Sequence, residues 1–142
     1  MAGSSMHGHE AWLKKALSDL KSSKKLIQGD DETLDTAAYH TQQCAEKAFK
    51  AYLEFKKQST PKTHDLERLL EMCIVFDIVF KTLLEDASNL SIYAIYARYP
   101  DDRFYIDRQE IQEAIKKAAK IYRFVLKKIE VPINSTLHLF EE

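Results

Sequence analysis

Only 3 glycines and 3 prolines punctuate a chain of 142 residues, and this scarcity constrains the fold more than any other feature. A β-rich domain needs a turn signal roughly every 8–12 residues, and glycine and proline set the backbone angles of most tight turns. Long uninterrupted elements are therefore expected, and helices supply them. Apolar residues make up 45% of the chain and charged residues 30%, enough to bury a core without disulfides or a metal. The reading is one all-α domain, an up-and-down antiparallel bundle of four to five helices in which short connections make neighbours antiparallel.

Helical periodicity places the elements. A first helix is predicted from about His9 to Gln28, with Leu13, Ala16, Leu17, Leu20 and Ile27 on one stripe, stopped by Gly29-Asp30-Asp31. A second runs from about Glu32 to Lys57 on a broad face of Leu34, Ala37, Ala38, Ala45, Ala48, Phe49, Tyr52 and Phe55. After a loop at Ser59-Thr60-Pro61-Lys62, Thr63 is expected to cap a third helix, with Asp65 and Glu67 complementing its dipole and Leu66, Leu69, Leu70 and Cys73 buried. A turn around Phe76-Asp77 leads into a fourth helix that continues to about Ala97, and Pro100 disfavours helix beyond it. The fifth opens at Asp107, with Glu110 in a capping-box-like position, and Pro132 closes it. Residues 1–8 are then a flexible N-terminus, 9–131 the bundle and 132–142 a short amphipathic tail. Parts of Ile74 to Val79 and the tail's Leu137, Leu139 and Phe140 leave apolar surface that predicts a homodimer.

Charge and cysteine usage bound the setting. A net charge of −1 from 21 basic and 22 acidic residues gives no global field toward nucleic acid or an anionic membrane, so any anion site must be local. Cys44 and Cys73 sit in apolar helical patterns without CxxC or Cys/His spacing, which suits buried structural thiols in a reducing compartment. The N-terminus shows neither a basic nor an apolar signal region, and no apolar run approaches the ~20 residues of a membrane span. The expected address is the cytoplasm, without membrane association. His7 and His9 form an HxH pair that could bind a metal, but at a chain end such residues are more often simply solvated. No metal site and no cofactor are predicted.

Two clusters could carry chemistry. On the second helix His40, Gln43, Lys47 and Lys50 fall within an arc of about 80°, roughly opposite Ala45, Ala48 and Tyr52. An imidazole, an amide and two ammonium groups in a line could hold a phosphate or nucleotide, or could be a solvated face with His40 tucked against a neighbouring helix. The second cluster runs from Tyr93 through Tyr96, Arg98, Tyr99 and Pro100 to Arg103, Phe104, Tyr105 and Asp107. Arginine forks beside tyrosine rings suit phosphate binding and base stacking, although tyrosines plugging the bundle end explain the pattern equally well. His64-Asp65 adds a third element, with Asp65 otherwise a favourable first-turn acid.

Three pieces in order carry a resemblance: Tyr39-His40-Thr41-Gln42-Gln43-Cys44-Ala45-Glu46-Lys47-Ala48-Phe49-Lys50-Ala51, then Lys62-Thr63-His64-Asp65-Leu66, then Tyr96-Ala97-Arg98-Tyr99-Pro100-Asp101. Together they resemble the HEPN family, higher eukaryotes and prokaryotes nucleotide-binding, across about residues 10 to 130. The resemblance implies a compact bundle of four or five helices, usually a homodimer, in bacteria or archaea. It also implies a frequent operon partner, a minimal nucleotidyltransferase, and toxin–antitoxin-like pairing. His40, Gln43, Lys47, Lys50, His64, Tyr96, Arg98 and Tyr99 become the candidate ligand-binding residues.

RNA-cleaving members of the family carry an arginine followed after four to six residues by a histidine. At that spacing Arg68 is followed by Cys73 to Val75, Arg98 by Arg103 to Tyr105, Arg103 by Arg108 to Glu110, Arg108 by Glu113 to Ile115, and Arg123 by Lys128 to Glu130. The nuclease assignment is therefore not inherited, and no catalytic residue is assigned. The leading reading is a non-catalytic module that binds a nucleotide or a nucleotidyltransferase partner. The alternatives are a metal-independent RNA endonuclease with His40 or His64 as base beside Arg98, and a structural helical assembly protein. The sharpest expectation is that His40, Lys47 and Arg98 converge on one cleft although 58 residues separate the first from the last.

Overall fold

The computed structural model describes residues 8–97 and 105–129, and every regular element in them is helical: α1 (Gly8–Leu26), α2 (Leu34–Phe55), α3 (Leu66–Phe76), α4 (Leu84–Tyr96) and α5 (Arg108–Ile129). Two 3-10 segments, Asp31–Thr33 and Ile78–Leu83, precede α2 and α4, so the second and fourth helices begin later than their periodicity suggests. α2 is the axis and packs against each of the other four helices. Small residues let them approach: Ala37, Ala38, Ala45, Ala48 and Ala51 are fully buried. Phe80 fills the space below them, its ring 4.4 Å from Tyr52 and 4.9 Å from Phe124, in geometries that add to area burial for aromatic pairs. α5 buries Ile111, Ala114, Ala118, Ile121, Val125 and Ile129 and turns its lysines outward, as a helix with one apolar stripe should.

The helix ends explain where the chain turns. Beyond α1, the Arg108 guanidinium donates to the Ile27 and Gly29 carbonyls and to Asp31 Oδ1, tying the start of α5 to the α1–α2 connection. α2 ends with Lys57 at φ 61°, its N–H on the Glu54 carbonyl and that of Gln58 on Leu53, a Schellman termination that usually takes glycine. The cap of α3 is Asp65, not Thr63. The Asp65 carboxylate accepts from Glu67 N at 3.1 Å and Arg68 N at 3.2 Å, whereas the Thr63 hydroxyl accepts from Asp65 N just before the helix. The turn expected at Phe76-Asp77 is present, and Asp107 Oδ1 accepts from Glu110 N at 2.8 Å at the fifth helix start.

Helices successive along the chain alternate in direction except at one step. The connection after α2 brings His64 back beside Gln42, and Cys73 lies against Phe49, so α3 runs in the same general sense as α2. Ser88 bonded to Glu67 with Ala94 beside His64, and Tyr93 bonded to Glu110 with Asp86 paired to Lys120, show α4 antiparallel to both α3 and α5. Among the described residues, besides Tyr105, large apolar side chains stay exposed in two groups: Val75, Phe76, Ile78 and Val79 at the α3–α4 corner, and Leu84, Ile92 and Ile95 along α4. Both cysteines are buried. Burial, with a smaller contribution from Asp19, pushes the Cys44 thiol up to about 12. Among the described residues no helix is long and apolar enough to cross a membrane. His7, Pro100, Pro132 and the tail with Leu137, Leu139 and Phe140 lie outside the described residues.

Candidate functional site

Two acids organise the polar residues of α2. The first is Asp19 on α1, buried beside Ala16, Leu20 and Ser23. An ionised carboxylate can only accept, and Asp19 accepts twice, from His40 Nδ1 at 2.7 Å and from Lys47 Nζ at 2.6 Å. His40 and Lys47 thus meet, two helical turns apart, over one buried acid. The expected third member, Arg98, lies outside the described residues with Tyr99, so the described part of that meeting is the Asp19 pair.

The second acid is Glu46, whose side chain is only 4% exposed. Its Oε1 lies 2.9 Å from His64 Nδ1 and within reach of the Gln42 and Gln43 amides, and its Oε2 accepts from Lys50 Nζ at 3.0 Å. Gln42 also donates to the His64 carbonyl at 3.0 Å, and Gln43 to Gln42 Oε1 at 2.8 Å. Lys50 lies 5.4 Å above the Trp12 ring, so its ammonium has a carboxylate on one side and a π face on the other. Removing two charges from water costs several kcal/mol per ion, and this set of partners offsets that cost. Among the described residues no buried side-chain nitrogen or oxygen is left without a hydrogen bond.

The polar line of α2 is therefore interior, facing α1 and the 63–65 turn. Each lysine on it is matched by a carboxylate within the fold, which removes the free positive charge that a phosphate would seek. His64 differs from the rest. Its side chain is 54% exposed while Nδ1 is held by Glu46, leaving Nε2 as the ring nitrogen for an outside partner. Two clefts share His64 and Ala94: one of about 470 Å³ that also reaches Thr63, Ser91 and Ile95, and one of about 410 Å³ that also reaches Tyr39 and Ala97. The Tyr96 ring lies edge-on to Tyr93 at 5.7 Å. Burial, then the hydrogen bond to Glu110, holds the Tyr93 hydroxyl well above the usual range and keeps it a donor. His9 packs edge-on against Phe55. No cluster of three or more His, Cys, Asp or Glu among the described residues could hold a metal ion.

Asp19, Glu46 and Trp12 escape a reading confined to basic groups. Two signals point to the acids: Asp19 interrupts the buried stripe of α1, and Glu46 stands four positions from both Gln42 and Lys50, the spacing at which helical side chains touch.

Residues 9–129 match the family model described as HEPN domain. The chain is similar to the crystal structure of ST0689, an archaeal HEPN homologue, at 27% identity over 86% of this chain and 98% of that one, with a TM-score of 0.69. It is similar to the crystal structure of TT1696 from Thermus thermophilus at 29% identity over 87% of this chain and 99% of that one, also with a TM-score of 0.69. Curated proteins give no significant match. Since the family model spans the bundle from the first turn of α1 to the last of α5, the chain belongs to the HEPN domain family.

Proposed function

We propose that this HEPN domain is a non-catalytic binding module, acting as a homodimer, that takes a nucleotide in the clefts beside His64. The nucleotide is bound alone or together with a minimal nucleotidyltransferase partner, in a prokaryotic pairing of the toxin–antitoxin type. The observation that carries this reading is the posture of His64, anchored through Nδ1 to the buried Glu46 yet half exposed at the clefts. An imidazole so held offers Nε2 as an acceptor for a ribose hydroxyl or a base amino group. Tyr39, Ala94 and Ala97 form a low wall with one aromatic ring, suited to a planar base. Ala97 directly precedes Arg98 and Tyr99 in sequence. With Lys47 and Lys50 matched internally, Lys62 on the larger cleft and Arg98 next to Ala97 in sequence are the groups that would supply charge to a phosphate.

Calorimetric titration with adenosine and guanosine mono- and triphosphates tests the reading. His64→Ala is expected to weaken binding about tenfold, the loss of one hydrogen bond, with an unchanged helical signal, and Arg98→Ala to weaken the triphosphates more than the monophosphates. Absence of binding by any of the four nucleotides would sink it. One observation favours a second reading: a carboxylate-held imidazole is also how a general base is oriented. Purified protein is expected to leave single-stranded and structured RNA intact, and a product ladder that vanishes in His64→Ala would install the ribonuclease in place of the binder.

A further inference from the structure

The α3–α4 corner carries a concentrated apolar surface. Val75 is 81% exposed, Ile78 63%, Val79 46% and Phe76 41%, four large side chains within five positions, and a soluble domain seldom leaves such a patch uncovered. The end of α5 stands beside it. Lys128 Nζ lies 2.7 Å from Asp77 Oδ2, in the middle of the patch sequence, and Phe124 packs on Phe80 one turn further on. The chain therefore leaves α5 at Ile129 next to exposed apolar residues, with residues 130–142 still to follow.

We propose that Leu137, Leu139 and Phe140 of the same chain cover the corner formed by Val75, Phe76, Ile78 and Val79. Reach is ample, since each residue can span about 3.3 Å and at least seven residues lie between Ile129 and Leu137. The tail places three apolar side chains within four positions, a match in kind for the patch. Charge agrees as well. Glu141 and Glu142 follow the apolar group, while exposed Lys56 and Lys81 border the corner, Lys56 near enough to act on the Asp77 carboxylate. The contact closes a loop from the end of α5 back to the α3–α4 turn and leaves the outer face of α4 exposed. It does not depend on what the His64 clefts bind.

A nitroxide placed on the full chain through His138→Cys tests the contact, because Cys44 and Cys73 are buried and will not compete for the label. In isotope-labelled, spin-labelled protein diluted into unlabelled chains, the amide signals of Val75, Ile78 and Val79 are expected to be lost, and to return when Leu139→Ser and Phe140→Ser are added. Two outcomes overturn the proposal. One is that these signals persist in the labelled chain. The other is that they are lost only when the nitroxide resides on a second chain, which would make a second copy the occupant.

Discussion

Lys50 and Glu46 share a buried ion pair but not an equal dependence on it. Lys50 has the Glu46 carboxylate and the Trp12 ring, whereas Glu46 also has His64, Gln42 and Gln43. Glu46→Ala would strand an ammonium whose side chain is 8% exposed, a loss of about 3–5 kcal/mol. Lys50→Met keeps the stem volume and leaves the carboxylate three donors, so about 1.5–3 kcal/mol is expected. Urea midpoints should therefore fall in the order wild type, Lys50→Met, Glu46→Ala, and the reverse order for the two variants would show that the network is not centred on Glu46. The types and spacing of His40, Gln43, Lys47 and Lys50 were legible because one helix carries them all. Their partners were not, because Asp19 belongs to another helix and the 63–65 turn returns to α2 only through tertiary structure. The polar line reads as a solvated face in sequence because period alone cannot tell water from an acid on a neighbouring helix.

At the scale of elements, Asp77 is the joint between α3, the 3-10 segment and α5. Its carboxylate accepts from Val79 N at 3.0 Å and pairs with Lys128 at 2.7 Å. The hydrogen bond to Lys128, then that to Val79, holds it below the usual carboxylate range. A carboxyl with a lowered folded pKa contributes stability that is full above the unfolded value, about 4, and is lost as pH falls through the folded one. Wild type should exceed Asp77→Asn in thermal stability at pH 6–7, and the gap should close as the pH drops below about 4. A gap that stays constant to pH 2 would mean that the carboxyl's charge contributes nothing. The turn at Phe76-Asp77 was legible within a nearly continuous apolar run, and the five helices from their periodicity. The 3-10 starts of the second and fourth helices were not, since their residues satisfy an α pattern equally well. Thr63 and Asp65 are both good capping residues, and only the hydrogen bonds decide for Asp65.

For the molecule as a whole, the expectation of alternation between successive helices fails only where α3 follows α2, because the connection between them is long enough to return along the bundle before α3 begins. That return is what brings His64 to Glu46 and places α4 on the outside. α4 then presents Leu84, Ile92 and Ile95, each at least 41% exposed, in line with one another at helical spacing. With the α3–α4 corner assigned to the tail, this stripe is the surface on which two copies should meet, each offering the same patch about a twofold axis. Light scattering coupled to size exclusion is expected to give twice the chain mass of 16.5 kDa. Ile92→Glu with Ile95→Glu should return it to the single-chain value, since two carboxylates facing their own copies across the axis would be desolvated without partners. A wild-type mass of 16.5 kDa at all concentrations would refute the dimer. A stable dimer of the double variant would place its interface elsewhere, and tail variants that change the mass would tie the corner and the dimer into one surface.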